Sequence, residues 1–305
     1  MVNLRNRISS PKPSATAVSS RVRFLSPWLF ALTLVWLAVY WQAFPDPVGL
    51  AAGHWPLILI GVLGAVIGNV TAIGGGIVFI PVMMFVYKTD PISALKLAFV
   101  TQAVGMTSGA SGWLQRGEVP LNMLKYTVPA LVAGALVSTF LIHPHAMMIK
   151  ALFGPVALTT GLLTLITLDN EGITNELPVK ARLPVMSIAL VGGLITGWVA
   201  IGEGEIVAAF CMLVYGLNAN RAIGLGVVLL AINSVLLALI HALYFGGVPW
   251  ELAAFTMLGV LWGGRLGPFL AQWLSLRAGK KLFAYIAVLD GLLVSLQAAY
   301  VLFIK

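Results

Sequence analysis

Residues 69–81 read NVTAIGGGIVFIP, and residues 199–207 read VAIGEGEIV. The glycines Gly74, Gly75 and Gly76 stand inside an apolar run from Trp55 to Tyr87, and Gly202 and Gly204 stand inside a second run, 184–215. A glycine in a helix interior costs about 1 kcal/mol against alanine and releases the backbone from helical geometry. A helix that restarts after such a break exposes its first N–H groups and a partial positive charge, an arrangement that holds anions. The same glycines would equally serve a seam where a neighbouring helix approaches closely. Polar side chains near the breaks extend the candidate cage. They are Asn69, Thr71, Gln102, Thr107, Ser108 and Ser111 in the first half, and Asn233, Ser234 and His241 in the second. Each alone also fits the role of glue between helices. Gln102 and Asn233 are the stronger candidates, because a large amide is costly to bury without a partner.

Four charges stand deep inside apolar segments, away from their ends: Glu203, Glu205, Arg265 and Asp290. A guanidinium at membrane depth must face a partner or a cavity, and its planar fork suits an oxyanion. An ion pair of Arg265 with Glu203, Glu205 or Asp290 is the alternative. Glu203 and Glu205 are two positions apart, so on a helix they do not share a face. Either carboxylate could cap the helix that follows, or carry a proton during a working cycle.

The elements that position these residues follow from composition. The chain of 305 residues is 60% hydrophobic and 9% charged, with mean hydropathy +0.99. Such a balance indicates an all-α polytopic membrane protein, with the lipid bilayer as its surroundings. Apolar segments fall at 27–44, 55–87, 94–113, 122–142, 146–168, 184–215, 222–245, 250–274 and 280–303. The tail 1–26 carries Arg5, Arg7, Lys12, Arg21 and Arg23 without an acid. It reads as a disordered cytoplasmic anchor obeying the positive-inside rule, so the net charge of +8 points to no nucleic acid. The single cysteine, Cys211, excludes an intrachain disulfide.

The two halves resemble each other. Gly64–Gly68 aligns with Gly193–Gly197 at an offset of 129, IGGGIV aligns with IGEGEIV, and Val119-Pro120 aligns with Val248-Pro249. The expected organisation is a tail (1–26), an N-terminal transmembrane helix and loop (27–54), a first repeat (55–168), a connecting loop (169–183) and a second repeat (184–305). Each repeat opens with a glycine-broken helix, and paired broken helices mark a transporter's midplane site. If a broken segment crosses once, the repeats are parallel; if it dips and returns, they are inverted. Lys and Arg fall 12 against 5 across the membrane in the first case and 13 against 4 in the second, which does not separate them.

Gly64…Gly68, the glycines 74–76, Pro81, Asp-Pro-x-x-Ala at 90–94 and Arg-Gly-x-Val at 116–119 resemble the TauE/SafE family of sulfite and organosulfur-anion exporters. The likeness covers roughly 55–303. It implies a secondary transporter of the bacterial inner membrane that moves sulfite, sulfoacetate or related sulfonates, usually outward. The second glycine run departs from the pattern at Glu203 and Glu205, and Arg265 interrupts a helix expected to be apolar. No cofactor is implied, self-association is left open, and coupling to protons would run through Glu203 or Glu205.

Two other functional classes have requirements that the sequence can be held against. An intramembrane enzyme needs a nucleophile–base or metal constellation, and the histidines are only His54, His143, His145 and His241, with no H-E-x-x-H. The expectation is therefore no catalysis. A cation or metal transporter or channel would use Glu203, Glu205 and Asp290, whereas freed helix N-termini and Arg265 favour anions.

Overall fold

The structure, a computed structural model, describes residues 24–142, 146–169, 172–273 and 276–303. His143, His145 and the tail arginines therefore lie outside the described residues, as does the side chain of Asp290. Helices α1 (Pro27–Ala43) and α2 (Pro47–His54) meet at a bend of 117°. The first broken run forms α3 (Pro56–Thr71), a four-residue break, and α4 (Gly76–Pro81), which continues as a π-helical turn, Val82–Val86. Then follow α5 (Pro91–Gln115), α6 (Leu121–Leu141) and α7 (Ala146–Ile166). The second broken run forms α8 (Arg182–Thr196) and α9 (Glu203–Tyr215). It leads to α10 (Ala219–Leu239, with a π-helical end Ile240–Phe245), α11 (Trp250–Leu270) and α12 (Leu276–Phe303).

The starts obey ordinary capping. Asp90 accepts hydrogen bonds from the backbone N–H of Ile92 and Ser93, both at 3.0 Å, with Pro91 in the first position of α5. Asn218 caps α10 in the same way through Asn220 N–H at 3.0 Å. By length and apolarity alone, Leu121–Leu141, Val179–Thr196 and Ala219–Phe245 suffice to cross a membrane. The 25-residue α5 carries five polar residues between Thr101 and Ser111: Thr101, Gln102 and Ser108 are buried against its neighbours, Ser111 is half-buried and Thr107 is exposed.

Packing shows the direction of each element. A Cβ at Gly64 would meet Phe79, and one at Gly68 would meet Gly74, so α4 runs back along α3. His54 and Tyr87, at the two ends of this unit, have ring centroids 5.9 Å apart. Residues 56–86 thus form a hairpin that returns to the end where it began. In the second half, a Cβ at Gly192 would lie 3.2 Å from Glu203 Cβ. The end of α9 comes back to the strand-like stretch before α8, where Asn218 N–H donates to Thr174 O at 2.8 Å. The second broken run is likewise a hairpin, and neither run crosses the molecule once.

The hairpins enter from opposite ends. Helices α5 and α10 are antiparallel: Trp113 lies beside Gly224, Gln102 beside Ser234, and Phe99 stacks on His241 at 4.8 Å. Helix α3 packs parallel to α11, with Gly61 against Thr256 O and Gly263 against Val62 O. Helix α8 packs parallel to α6, with Gly193 against Leu131 O and Gly134 against Leu190 O. Each hairpin is therefore clasped by a helix from the other half. At these points the glycines allow direct backbone contact, the arrangement that substitutes for hydrophobic driving force inside a bilayer. The arrangement gathers Arg116, Lys125, Lys180, Arg182, Arg221 and Arg277 at one end and leaves Lys88 and Lys96 at the other.

Candidate functional site

The two breaks repeat one backbone path. Ala72 (φ 64°) and Ala200 (φ 57°) are left-handed, and each is followed two residues later by a left-handed glycine, Gly74 (φ 88°) and Gly202 (φ 96°). A left-handed alanine is uncommon and persists only where its surroundings hold it. Here each tip holds the other. Gly202 N–H points to Ile73 O at 3.5 Å. A Cβ at Gly76 would lie 2.4 Å from Ala200 O, and a Cβ at Gly204 would lie 2.5 Å from Ala72 O. Ala72, Ile73, Ala200 and Ile201 are fully buried.

The N-cap positions of α4 and α9 are Gly75 and Gly202, and neither supplies a side-chain cap. Two buried helix N-termini thus meet from opposite ends of the molecule, each with a carbonyl of the other hairpin against its first turn. Gln102 ties them together: its Nε2 donates to Ala200 O at 2.6 Å, and its Oε1 accepts from the Ser234 hydroxyl at 3.3 Å. The carboxylates diverge around the second tip, as their spacing predicts. Glu203 accepts from Asn233 Nδ2 at 2.5 Å and lies beside the Thr196 hydroxyl. Glu205 accepts from the Thr164 hydroxyl on α7.

The structure therefore brings together Gly74, Gly75, Gly76, Gln102, Gly202, Glu203, Gly204, Asn233 and Ser234. Other residues singled out in the sequence sit apart. Asn69 bonds Ala65 O (2.9 Å) and Gly105 O (3.3 Å), and its own carbonyl accepts from Trp113 Nε1, all in the α3–α5 seam. Thr71 and Ser108 bond the backbone at Ile67 O and Leu261 O. Arg265 donates to the Ser111 hydroxyl at 3.1 Å and to Gln115 Oε1. At 1.5 Å per residue those partners lie about 13–20 Å along α5 from Gln102. Thr164 and Thr196, which flank the carboxylates, were not singled out in the sequence. A threonine in an apolar run carries no signal that separates a carboxylate's partner from a packing residue.

Among the described residues no group of three His, Cys, Asp or Glu side chains converges as metal ligands do. The arrangement suits a small anion that replaces carbonyl oxygens at uncapped helix N-termini. The chain is 24% identical over 252 residues to the probable membrane transporter protein YjnA of Bacillus subtilis (strain 168), covering 77% of this chain and 97% of that protein. No solved structure matches it. Residues 57–294 match the family described as sulfite exporter TauE/SafE, and the chain belongs to that family of membrane transporters.

Proposed function

We propose that the protein is a secondary transporter carrying small sulfur-containing anions, such as sulfite, sulfoacetate or related sulfonates, outward across the bacterial inner membrane. The observation that carries this reading is the meeting of two uncapped, buried helix N-termini on hairpins inserted from opposite ends. The hairpins with α5–α7 and α10–α12 read as inverted repeats, a design that supports alternating access around a fixed midplane site. In the closed state each tip's carbonyl occupies the other's helix N-terminus. Opening toward either face would separate Ala200 O from Gly76 and expose N–H groups, with the Gln102 amide, to an anion. A monoanion leaves an inside-negative cell with about 2.3 kcal/mol per 100 mV, so export needs no other coupling, whereas uptake would need a cation.

The test is flux of radiolabelled sulfite and sulfoacetate in proteoliposomes, under imposed potential alone and then with a pH gradient. Flux that follows the potential is the expected result. Absence of flux for both anions would overturn the substrate assignment.

The orientation follows from charge. The end bearing Arg116, Arg182 and Arg221 is expected to be cytoplasmic, together with the N-terminus. In a variant lacking Cys211, Lys88→Cys should react with an impermeant maleimide on intact cells, and Asn175→Cys only after permeabilisation. The reverse labelling would invert the assignment.

A further inference from the structure

Glu203, at the start of α9, and Asn233, inside α10, are 1% and 0% exposed. Asn233 Nδ2 donates to Glu203 Oε2 at 2.5 Å, yet Glu203 Oε1 and Asn233 Oδ1 are buried without a hydrogen-bond partner among the described residues. The Thr196 hydroxyl, at the end of α8, lies beside the same carboxylate. It donates its proton to Gly192 O at 2.9 Å, which leaves its oxygen lone pairs on offer. Oxygens from three helices therefore meet at the Glu203 carboxylate, and the two buried acceptors lack a donor. We propose that Thr196, Glu203 and Asn233 bind a sodium ion beside the second hairpin tip. This site is distinct from the backbone N–H groups that would hold an anion, and it does not depend on the substrate assignment.

A carboxylate taken out of water is costly unless positive charge or full hydrogen bonding compensates it. No ion pair reaches Glu203 among the described residues. The basic residues of α8 and α10 are Arg182, Arg221 and, in the π-helical end, His241. They lie about 12–18 Å along the helix axes from Gly192 or Asn233. The other acid of α9, Glu205, turns to Thr164 on α7. The N-terminal dipole of α9 favours the carboxylate but gives neither free oxygen a donor, and α8 directs the negative end of its dipole to the same point. A cation answers both needs, as cations do at the broken-helix ends of transporters. A single carboxylate balances one positive charge, which favours a monovalent ion over calcium, and its strong field favours sodium over the larger potassium. The backbone path itself does not require these side chains, because the first tip follows it without them. Ile67 precedes Gly68 where Thr196 precedes Gly197, and Gly75 follows the left-handed Gly74 where Glu203 follows Gly202. Gly105 lies as far beyond the cap Asp90 as Asn233 lies beyond the cap Asn218. The oxygen set joins both arms of the second hairpin to α10, so sodium would favour the closed arrangement of the tips.

The test is binding of radioactive sodium to the purified full chain in detergent. The melting temperature is followed in parallel in choline, sodium and potassium chloride of equal ionic strength. One saturable sodium per chain is expected. Sodium well above its dissociation constant should raise the melting temperature by about 3 °C, with a smaller shift in potassium. Glu203→Gln should lose both the binding and the shift. Thr196→Val, which keeps the side chain's shape, should weaken binding about tenfold, and it serves if the glutamine variant does not fold. Because the probe is sodium alone, a chain that moved neither sulfite nor sulfoacetate would leave this result intact. Sodium binding of unchanged affinity in both variants, or equal shifts in sodium and potassium, would overturn the proposal. Absence of sodium binding to the wild type would do the same. In that case, stabilisation by falling pH that disappears in Glu203→Gln would identify a proton as the occupant instead.

Discussion

Replacing Gly204 by alanine is expected to abolish transport and to lower thermal stability. The new methyl group would lie 2.5 Å from Ala72 O, 2.6 Å from Leu230 Cδ1 and 2.7 Å from Gly226 O. Two of those three atoms are backbone and cannot swing away. Overpacking of a tight site typically costs about 1–3 kcal/mol, and here relief requires the two tips to part. Gly76→Ala should behave alike, since its Cβ would meet Ala200 O at 2.4 Å and Ile201 Cγ2 at 2.9 Å. Gly53→Ala is the control: nothing lies within 4 Å of its Cβ, and alanine is the better helix former. Efflux from loaded proteoliposomes and the melting temperature in detergent check both parts. Wild-type efflux by Gly204→Ala would show that tip-to-tip contact is dispensable.

The second large effect concerns Glu203. Glu203→Gln keeps the side chain's shape and can still accept from Asn233, so the fold should persist. What is lost is the capacity to take up and release a proton beside the second helix N-terminus. Any component of flux that depends on a pH gradient should vanish in this variant, while flux driven by potential continues. Glu205→Gln, whose partner Thr164 lies on another helix, tests whether one carboxylate or both take part. A pH-gradient dependence that survives in the double Gln variant would clear both acids and leave them as polar fasteners of α9 to α7, α8 and α10. Glu203→Ala is a different experiment, because it strands Asn233 in a buried site and should cost stability.

The positions of the breaks were legible in the sequence, and the reason is local. Clustered glycines in an apolar run weaken a helix whatever surrounds it, and the run recurs with the same spacing in the second half. The membrane setting was legible as well, because scarcity of charge over 305 residues leaves no soluble alternative. The divergence of Glu203 and Glu205 followed from a two-residue spacing on a helix.

The path after each break was a different matter. A hairpin that turns back and a helix that crosses once have the same composition, and the lysine and arginine balance hardly distinguishes them. Contacts between residues distant along the chain decide it, such as Gly64 on Phe79 and Thr174 on Asn218. The contacts between the two tips, equally distant along the chain, explain why Ala72 and Ala200 can hold left-handed backbone, which no local preference would favour. Arg265 shows the same limit from another side. Its place well inside an apolar segment suggests the membrane midplane. Helix α11 ends at Leu270, however, and the parallel packing on α5 carries the guanidinium to Ser111 and Gln115, near that helix's end. Chain position along a helix measures depth only once the helix ends and their neighbours are known. The sequence by itself thus determined where the backbone must break and which polar and charged residues stand near the breaks. Only the tertiary structure decided which groups meet there, because hairpin direction and helix register arise from long-range packing.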